Sequence, residues 1–193
     1  MGRTYEHITP QLREWVERQS LFFVATAPLA ADGHVNVSPK GPIGSLRFLG
    51  PMRMAYLDVI GSGAETIAHI RENGRIVIMM CAFEGPPRIV RFHGRGEVVP
   101  SSDRRFETLL GEAAFEDPSL PPARRAVIDV EVTRVADSCG YGVPLMTFEG
   151  LREHHALSTG KKLRTMGADG YARYLADHNP ASIDGLPALD AVE

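Results

Sequence analysis

Cysteine is scarce in this 193-residue chain: Cys81 sits in an apolar run and Cys139 in Ser-Cys-Gly-Tyr. Two cysteines so placed form neither a disulfide framework nor a metal-ligand cluster, and a reducing compartment accounts for them. Long apolar runs are missing too. The longest, residues 76–83, falls well short of the roughly 20 residues that cross a bilayer. The N-terminus carries charges and a helical pattern, without an apolar leader core. Neither sign of charge dominates: 21 Lys and Arg face 24 Asp and Glu, for a net charge of −3. No broad basic field results, which argues against a nucleic-acid partner. The arginine pairs at 104–105 and 124–125 stand among acids and read as solvated surface. His34, His69 and His93 are single, no HExxH pattern occurs, and His154 and His155 cannot share a helix face. These absences predict a cytoplasmic protein with no membrane span, no nucleic acid and no metal.

What is present is ordinary globular composition, 44% hydrophobic and 23% charged, with hydrophobicity that alternates more often than it follows a helical period. Thr9-Pro10 opens a helix in which Leu12, Trp15, Val16 and Gln19 share one face. Strands are predicted over 21–27 and 34–40, the latter placed at a strand end or sheet edge by Pro39. Residues 46–49 and 52–59 form a hairpin about Gly50-Pro51. A helix over 64–73 stops at Asn73-Gly74. A second hairpin joins 75–83 to 88–99 through Glu84-Gly85-Pro86-Pro87. Ser101 and Ser102 start a helix reaching about residue 114, 126–135 alternates cleanly as a strand, and a further strand is expected over 141–148. From 151 to about 178 the pattern is polar and helical, and 179–193 reads as an irregular tail. The fold class expected is mainly β (α+β), an antiparallel barrel or sandwich with helices at its margins. Residues 1–150 make the barrel domain and 151–193 a C-terminal helical extension and tail.

Two stretches have anion-binding chemistry. Gly61, Ser62 and Gly63 lie at a strand-to-helix turn, where backbone N–H groups and the helix start favour a phosphate. The same spacing also fits an ordinary capping box, Ser62 with Glu65. The loop is not a Walker A sequence, and Thr66 stands where a dinucleotide fingerprint needs its third glycine. On the strand at 34–40, Asn36, Ser38 and Lys40 share one face and Val35 and Val37 the other. That polar face suits an anion or simply solvent, with Lys40 guarding an edge. Arg88 lies on the face opposite Arg91 and Arg95, and spacing does not choose which of the three meets a phosphate. Asp58 fits either a ligand contact or a turn cap. No catalytic acid, base or triad can be assigned from spacing.

Several segments carry a resemblance, in order along the chain. They are Val-Asn-Val-Ser-Pro-Lys-Gly (35–41), Tyr-Leu-Asp (56–58) with Gly-Ser-Gly-x-Glu-Thr (61–66), and Arg-Glu-Asn-Gly-Arg (71–75). Cys-Ala-Phe-Glu-Gly-Pro-Pro-Arg-Ile (81–89), Cys-Gly-Tyr-x-Val-Pro-Leu-Met (139–146) and Ser-Ile-Asp-Gly-Leu-Pro (182–187) follow. Together they span nearly the whole chain. They resemble the pyridoxamine 5′-phosphate oxidase-like, FMN-binding split-barrel proteins, in particular a bacterial subgroup with its own C-terminal extension. The resemblance implies an antiparallel split β-barrel homodimer with FMN in the cleft between subunits. It places the FMN phosphate against Asn36, Ser38 and Lys40, against Ser62, Gly63 and Thr66, and adds Arg88 as a further candidate. The chain departs from the oxidase proper. Ala64 replaces a common Asn, Gly63-Ala64 stands where the oxidase has a basic pair, and its C-terminal Arg motif is not recognisable. The resemblance therefore implies an FMN-dependent oxidoreductase with an unassigned small-molecule substrate and a nicotinamide donor, and not a pyridoxamine phosphate oxidase. Its alternatives are a flavin- or haem-binding protein with a sensing, storage or carrier role, and a reductase that uses the deazaflavin F420.

Overall fold

Alternating hydrophobicity needs a two-sided sheet, and the computed structural model, which describes residues 2–61 and 63–189, provides one. Its strands are β1 (Thr4–Tyr5), β2 (Phe22–Thr26), β3 (Asn36–Lys40), β4 (Leu46–Gly50), β5 (Arg53–Val59), β6 (Arg75–Cys81), β7 (Ile89–Pro100) and β8 (Arg124–Ser138). They make one eight-stranded antiparallel sheet in the order β3-β2-β6-β7-β8-β5-β4, with β1 added beside β8. The end strands β3 and β4 do not pair, so the barrel is not closed. Among the described residues four helices lie around it: α1 (Pro10–Glu17), α2 (Glu65–Asn73), α3 (Phe106–Ala113) and α4 (His154–His178), the last kinked at Gly167, whose φ of 71° is not helical. Pro39 falls on an edge strand, as a residue without an N–H should.

Strand periodicity decides what fills the core. On β8, Ala126, Ile128, Val130 and Val132 point into the main cluster with Phe22, Val24, Met54, Tyr56, Ile78 and Phe92. Leu12 and Val16 of α1 and Ile67, Ala68 and Ile70 of α2 complete it. The opposite faces of β5 and β8 present Ala55, Leu57 and Val127, which α3 covers with Phe106 and Leu109. Thr9 caps α1 by accepting the Leu12 N–H, and Gly74 ends α2 at φ 71°. Among the described residues no helix is long and apolar enough to cross a membrane.

The structure differs from the sequence reading in four places. Residues 141–148 form no strand, because β8 is already paired on both sides. The chain instead turns back through Val143 N–H to Gly140 O, Pro144 offers no donor, and Tyr141 and Leu145 stay 84% and 80% exposed. Helix α3 starts at Phe106, later than the serines suggested, because Asp103 takes the Arg105 N–H and holds the preceding residues in turns. At α2 the N-cap is Ala64, which makes no side-chain bond, so no capping box forms with Glu65 there; Ser62 itself lies outside the described residues. The segment after α4 is anchored rather than loose. Ala181 bridges Pro187, and Ala188 is buried in the main core.

Gly94 is required by close approach. The β7–β8 ladder shifts register between His93 and Gly94, and a Cβ at Gly94 would lie 2.3 Å from the Glu131 carbonyl oxygen. Gly94→Ala is expected to destabilise the fold by about 1–3 kcal/mol, read by chemical denaturation. An unchanged midpoint would mean that the bulge relaxes freely.

Candidate functional site

The polar face of β3 points inward at the sheet's edge. Its register against β2 sets Asn36 opposite Thr26 and Ser38 opposite Val24. Val35 and Val37, on the other face, are 69% and 63% exposed. The end of β5, the loop after it and the first turn of α2 close over this face. The result is a cavity of about 520 Å³ lined by Asn36, Ser38, Lys40, Gly63, Thr66 and Arg125, with Glu65 and Ile183 at its walls. The structure thus brings Asn36, Ser38, Lys40, Gly63 and Thr66 together. Ser62 lies outside the described residues.

Hydrogen bonds tie the lining into one network. Asn36 Nδ2 donates to Thr66 Oγ1 at 2.9 Å and to Thr26 Oγ1 at 3.3 Å, and Ser38 Oγ donates to Asn36 Oδ1 at 2.9 Å. Lys40 Nζ donates to Asp58 Oδ1 at 3.0 Å, while Arg125 Nε donates to Asp58 Oδ2. Arg125 Nη1 also donates to Gly63 O at 3.1 Å and to Asn179 Oδ1 at 2.8 Å. Burial alone would raise the Asp58 carboxyl, but Lys40 and Arg125 outweigh it and hold the carboxyl below the ordinary carboxylate range. One buried carboxylate therefore serves two cations that line the cavity. Burial pushes the hydroxyl of neighbouring Tyr56 well up, and Asp58 adds to that, so Tyr56 keeps its proton.

Arg88 is not part of this cavity. Asp137 captures it at 3.0 Å, Tyr5 Oη accepts from it at 2.7 Å, and it stacks on Trp15 with its guanidinium carbon 5.1 Å from the ring centre. It lines a second cavity of about 1180 Å³ with Trp15, Phe83, Cys139, Tyr141 and Phe148. Arg91 donates to Ser138 Oγ and Arg95 to the Asn73 carbonyl, so neither enters the first cavity.

Arg125 is the site residue that the sequence reading misses. Its neighbours in sequence put it with Arg124 on a solvated surface, yet it is only 8% exposed. The β5–β8 ladder shifts register between Asp58 and Val59: Asp58 faces Ala126 and Val59 faces Arg124. That bulge leaves Arg125 without a cross-strand partner and turns it toward Asp58. An acid ending an apolar strand was the available signal, because a buried carboxylate needs a cation. Asn179, buried beside it, comes from the segment read as an irregular tail. Asp58 balances the two cations, Lys40 at Oδ1 and Arg125 at Oδ2. Among the described residues no group of His, Cys, Asp and Glu is arranged to hold a metal.

Comparison with known proteins adds the lineage. A family model described as pyridoxamine 5′-phosphate oxidase matches residues 8–139. The pyridoxamine 5′-phosphate oxidase family protein ustO of Aspergillus flavus is 39% identical over 195 residues, covering 96% of this chain and 77% of that protein. Among solved structures, a variant of HupZ from Group A Streptococcus aligns with a TM-score of 0.53 at 24% identity, over 68% of this chain and 99% of that one. DIP1874 of Corynebacterium diphtheriae, a conserved protein of unknown function, aligns with a TM-score of 0.50 at 12% identity, over 72% and 98%. The sheet is the antiparallel split barrel with peripheral helices that the resemblance implied.

Proposed function

The chain belongs to the pyridoxamine 5′-phosphate oxidase family, and we propose that it is an FMN-binding oxidoreductase acting on a small molecule other than pyridoxamine 5′-phosphate. The observation that carries this reading is the convergence of Lys40, Arg125, Ser38, Thr66 and the Asn36 amide on one cavity beside the start of α2. A phosphate monoester brings close to two negative charges and several acceptor oxygens. The cavity offers two cations, two hydroxyls and the positive end of a helix. Asp58 offsets one cation and Glu65 stands at the wall, so the donor set suits a small phosphate rather than a polyanionic tail. Flavin, when bound, supplies the hydride chemistry. Lys40 and Arg125 would hold its phosphate, and Asn36 would orient the two hydroxyls. The exposed face of β3, with Val35 and Val37, gives a second copy an apolar edge to cover, so we also propose a homodimer. A nicotinamide is the proposed electron donor.

Purified protein is expected to carry FMN, identified by its absorption spectrum and by the mass of the molecule released on denaturation. Protein that copurifies without flavin and fails to take up added FMN would end this reading. A haem or deazaflavin spectrum would move it to the alternatives above. Flavin without turnover of any nicotinamide would make the protein a carrier. Pyridoxamine 5′-phosphate is expected to yield no pyridoxal 5′-phosphate under air. That substrate brings a second phosphate, and Gly63-Ala64 and the segment 182–187 offer it no cation. Saturable turnover at micromolar substrate would overturn that expectation.

A further inference from the structure

Behind the cavity a buried histidine terminates the hydrogen-bond network. Thr26 of β2 is buried, and its Oγ1 lies 3.0 Å from Nδ1 of His69 on α2. His69 is fully buried, and its Nε2 has no hydrogen-bond partner among the described residues. Proton counting sets the direction of the chain. Thr26 Oγ1 accepts from Asn36, because an amide nitrogen only donates. A proton on Nδ1 would make Thr26 accept twice, and the threonine proton and the Nε2 lone pair would both be left over. With Nδ1 bare, Thr26 donates to it and only the Nε2 hydrogen lacks a partner, the less costly arrangement. Burial favours the neutral ring, against the pull of Asp184 on the C-terminal segment and of Glu65 and Glu72 on α2 itself.

We infer that His69 is a positioning residue for the anion cavity. Its neutral Nδ1 takes the Thr26 proton, so Thr26 can only accept from Asn36 and holds the amide nitrogen on its side. In this order the amide nitrogen donates to Thr66, whose own proton has no acceptor among the described residues and can meet a ligand, while the Ser38 proton is used on Asn36 Oδ1. A flipped amide would reverse the two hydroxyls. His69 therefore makes Thr66, at the first turn of α2, the donor to the phosphate. This rests on the reading of the cavity as a flavin phosphate site.

The test compares FMN and riboflavin affinities, by quenching of flavin fluorescence, for wild type, His69→Leu, His69→Asn and Thr26→Val. Asparagine keeps an acceptor close to the position of Nδ1; leucine does not. FMN affinity is expected to fall about five- to tenfold in His69→Leu and Thr26→Val and to stay within about twofold of wild type in His69→Asn. Riboflavin, which has no phosphate, should bind all four alike. A role in packing alone predicts leucine to be no worse than asparagine, so equal FMN affinity of these two variants would overturn the inference. So would a parallel loss of riboflavin. Thr26→Val is nearly isosteric in a strand and decides the matter if a helix variant fails to fold. Wild type that does not prefer FMN to riboflavin would refute the phosphate site itself, and with it this role. Wild type that prefers FMN, with variants that bind like it, would refute the role alone.

Discussion

Asp58→Ala is expected to lose about 3–5 kcal/mol of folding free energy, because it leaves two cations at a buried position without their counter-charge. Lys40 and Arg125 both donate to this carboxylate, whose side chain is fully buried. The neutral Asp58→Asn keeps the shape, but it leaves the same excess of positive charge and should be nearly as costly. The acid dependence of stability provides a second readout. The folded-state carboxyl sits below its ordinary range, so its contribution is complete above the unfolded-state value near 4 and is lost as pH falls through the depressed folded value. Wild type should therefore lose stability on acidification through that window more steeply than Asp58→Asn. Urea denaturation of both proteins across the acid range measures the difference. Equal slopes, or an Asp58→Ala protein as stable as wild type, would show that the ion triad contributes little. Arg105, by contrast, pairs with Asp103 and Glu97 at an exposed surface position, and its removal should change stability little.

Local pattern was enough wherever a residue's fate depends on its own neighbours in sequence. The alternation on β8 places Ala126, Ile128, Val130 and Val132 in the core, and Pro39 identifies β3 as an edge, both without knowledge of the fold. The polar face of β3 was equally readable, because period two alone sets Asn36, Ser38 and Lys40 on one side. Features decided by register or by long-range pairing were not. Arg125 turns inward at a β-bulge whose position depends on how β5 and β8 align. The apolar run at 141–148 looks like a strand, but a strand needs a free neighbour, and β8 has none to offer. Asn179 comes to the site because Ala188 anchors the segment after α4 in the core, and it meets Arg125 across 54 positions of sequence. Arg88 had suitable chemistry and the wrong partner: its guanidinium is taken by Asp137 and Tyr5. Fold class was thus legible, half of the cavity was legible, and the arginine that pairs with Asp58 was not.

Lys40→Ala is expected to weaken FMN binding by about 1.5–3 kcal/mol, roughly ten- to 150-fold, the usual scale for losing a charge-assisted contact to phosphate. Lys40 is three-quarters buried and already pays part of its desolvation cost against Asp58, so a phosphate meets an ammonium held in place at 3.0 Å from that carboxylate. The lysine must satisfy both anions, and it has three hydrogens to do so. The same substitution leaves Asp58 with Arg125 alone, so some loss of stability accompanies the loss of affinity. Two controls separate the effects. Riboflavin presents no phosphate, and its affinity should be unchanged in Lys40→Ala. Salt should weaken FMN binding to wild type more than to the variant, because the variant has lost one of the charges being screened. Lys40→Arg retains the charge but replaces a point ammonium by a planar fork, and is expected to recover stability more fully than affinity. If Lys40→Ala binds FMN like wild type, with only its melting temperature lowered, then Lys40 is a partner of Asp58 and nothing more. The phosphate would then have to be held by Arg125 and the loop before α2.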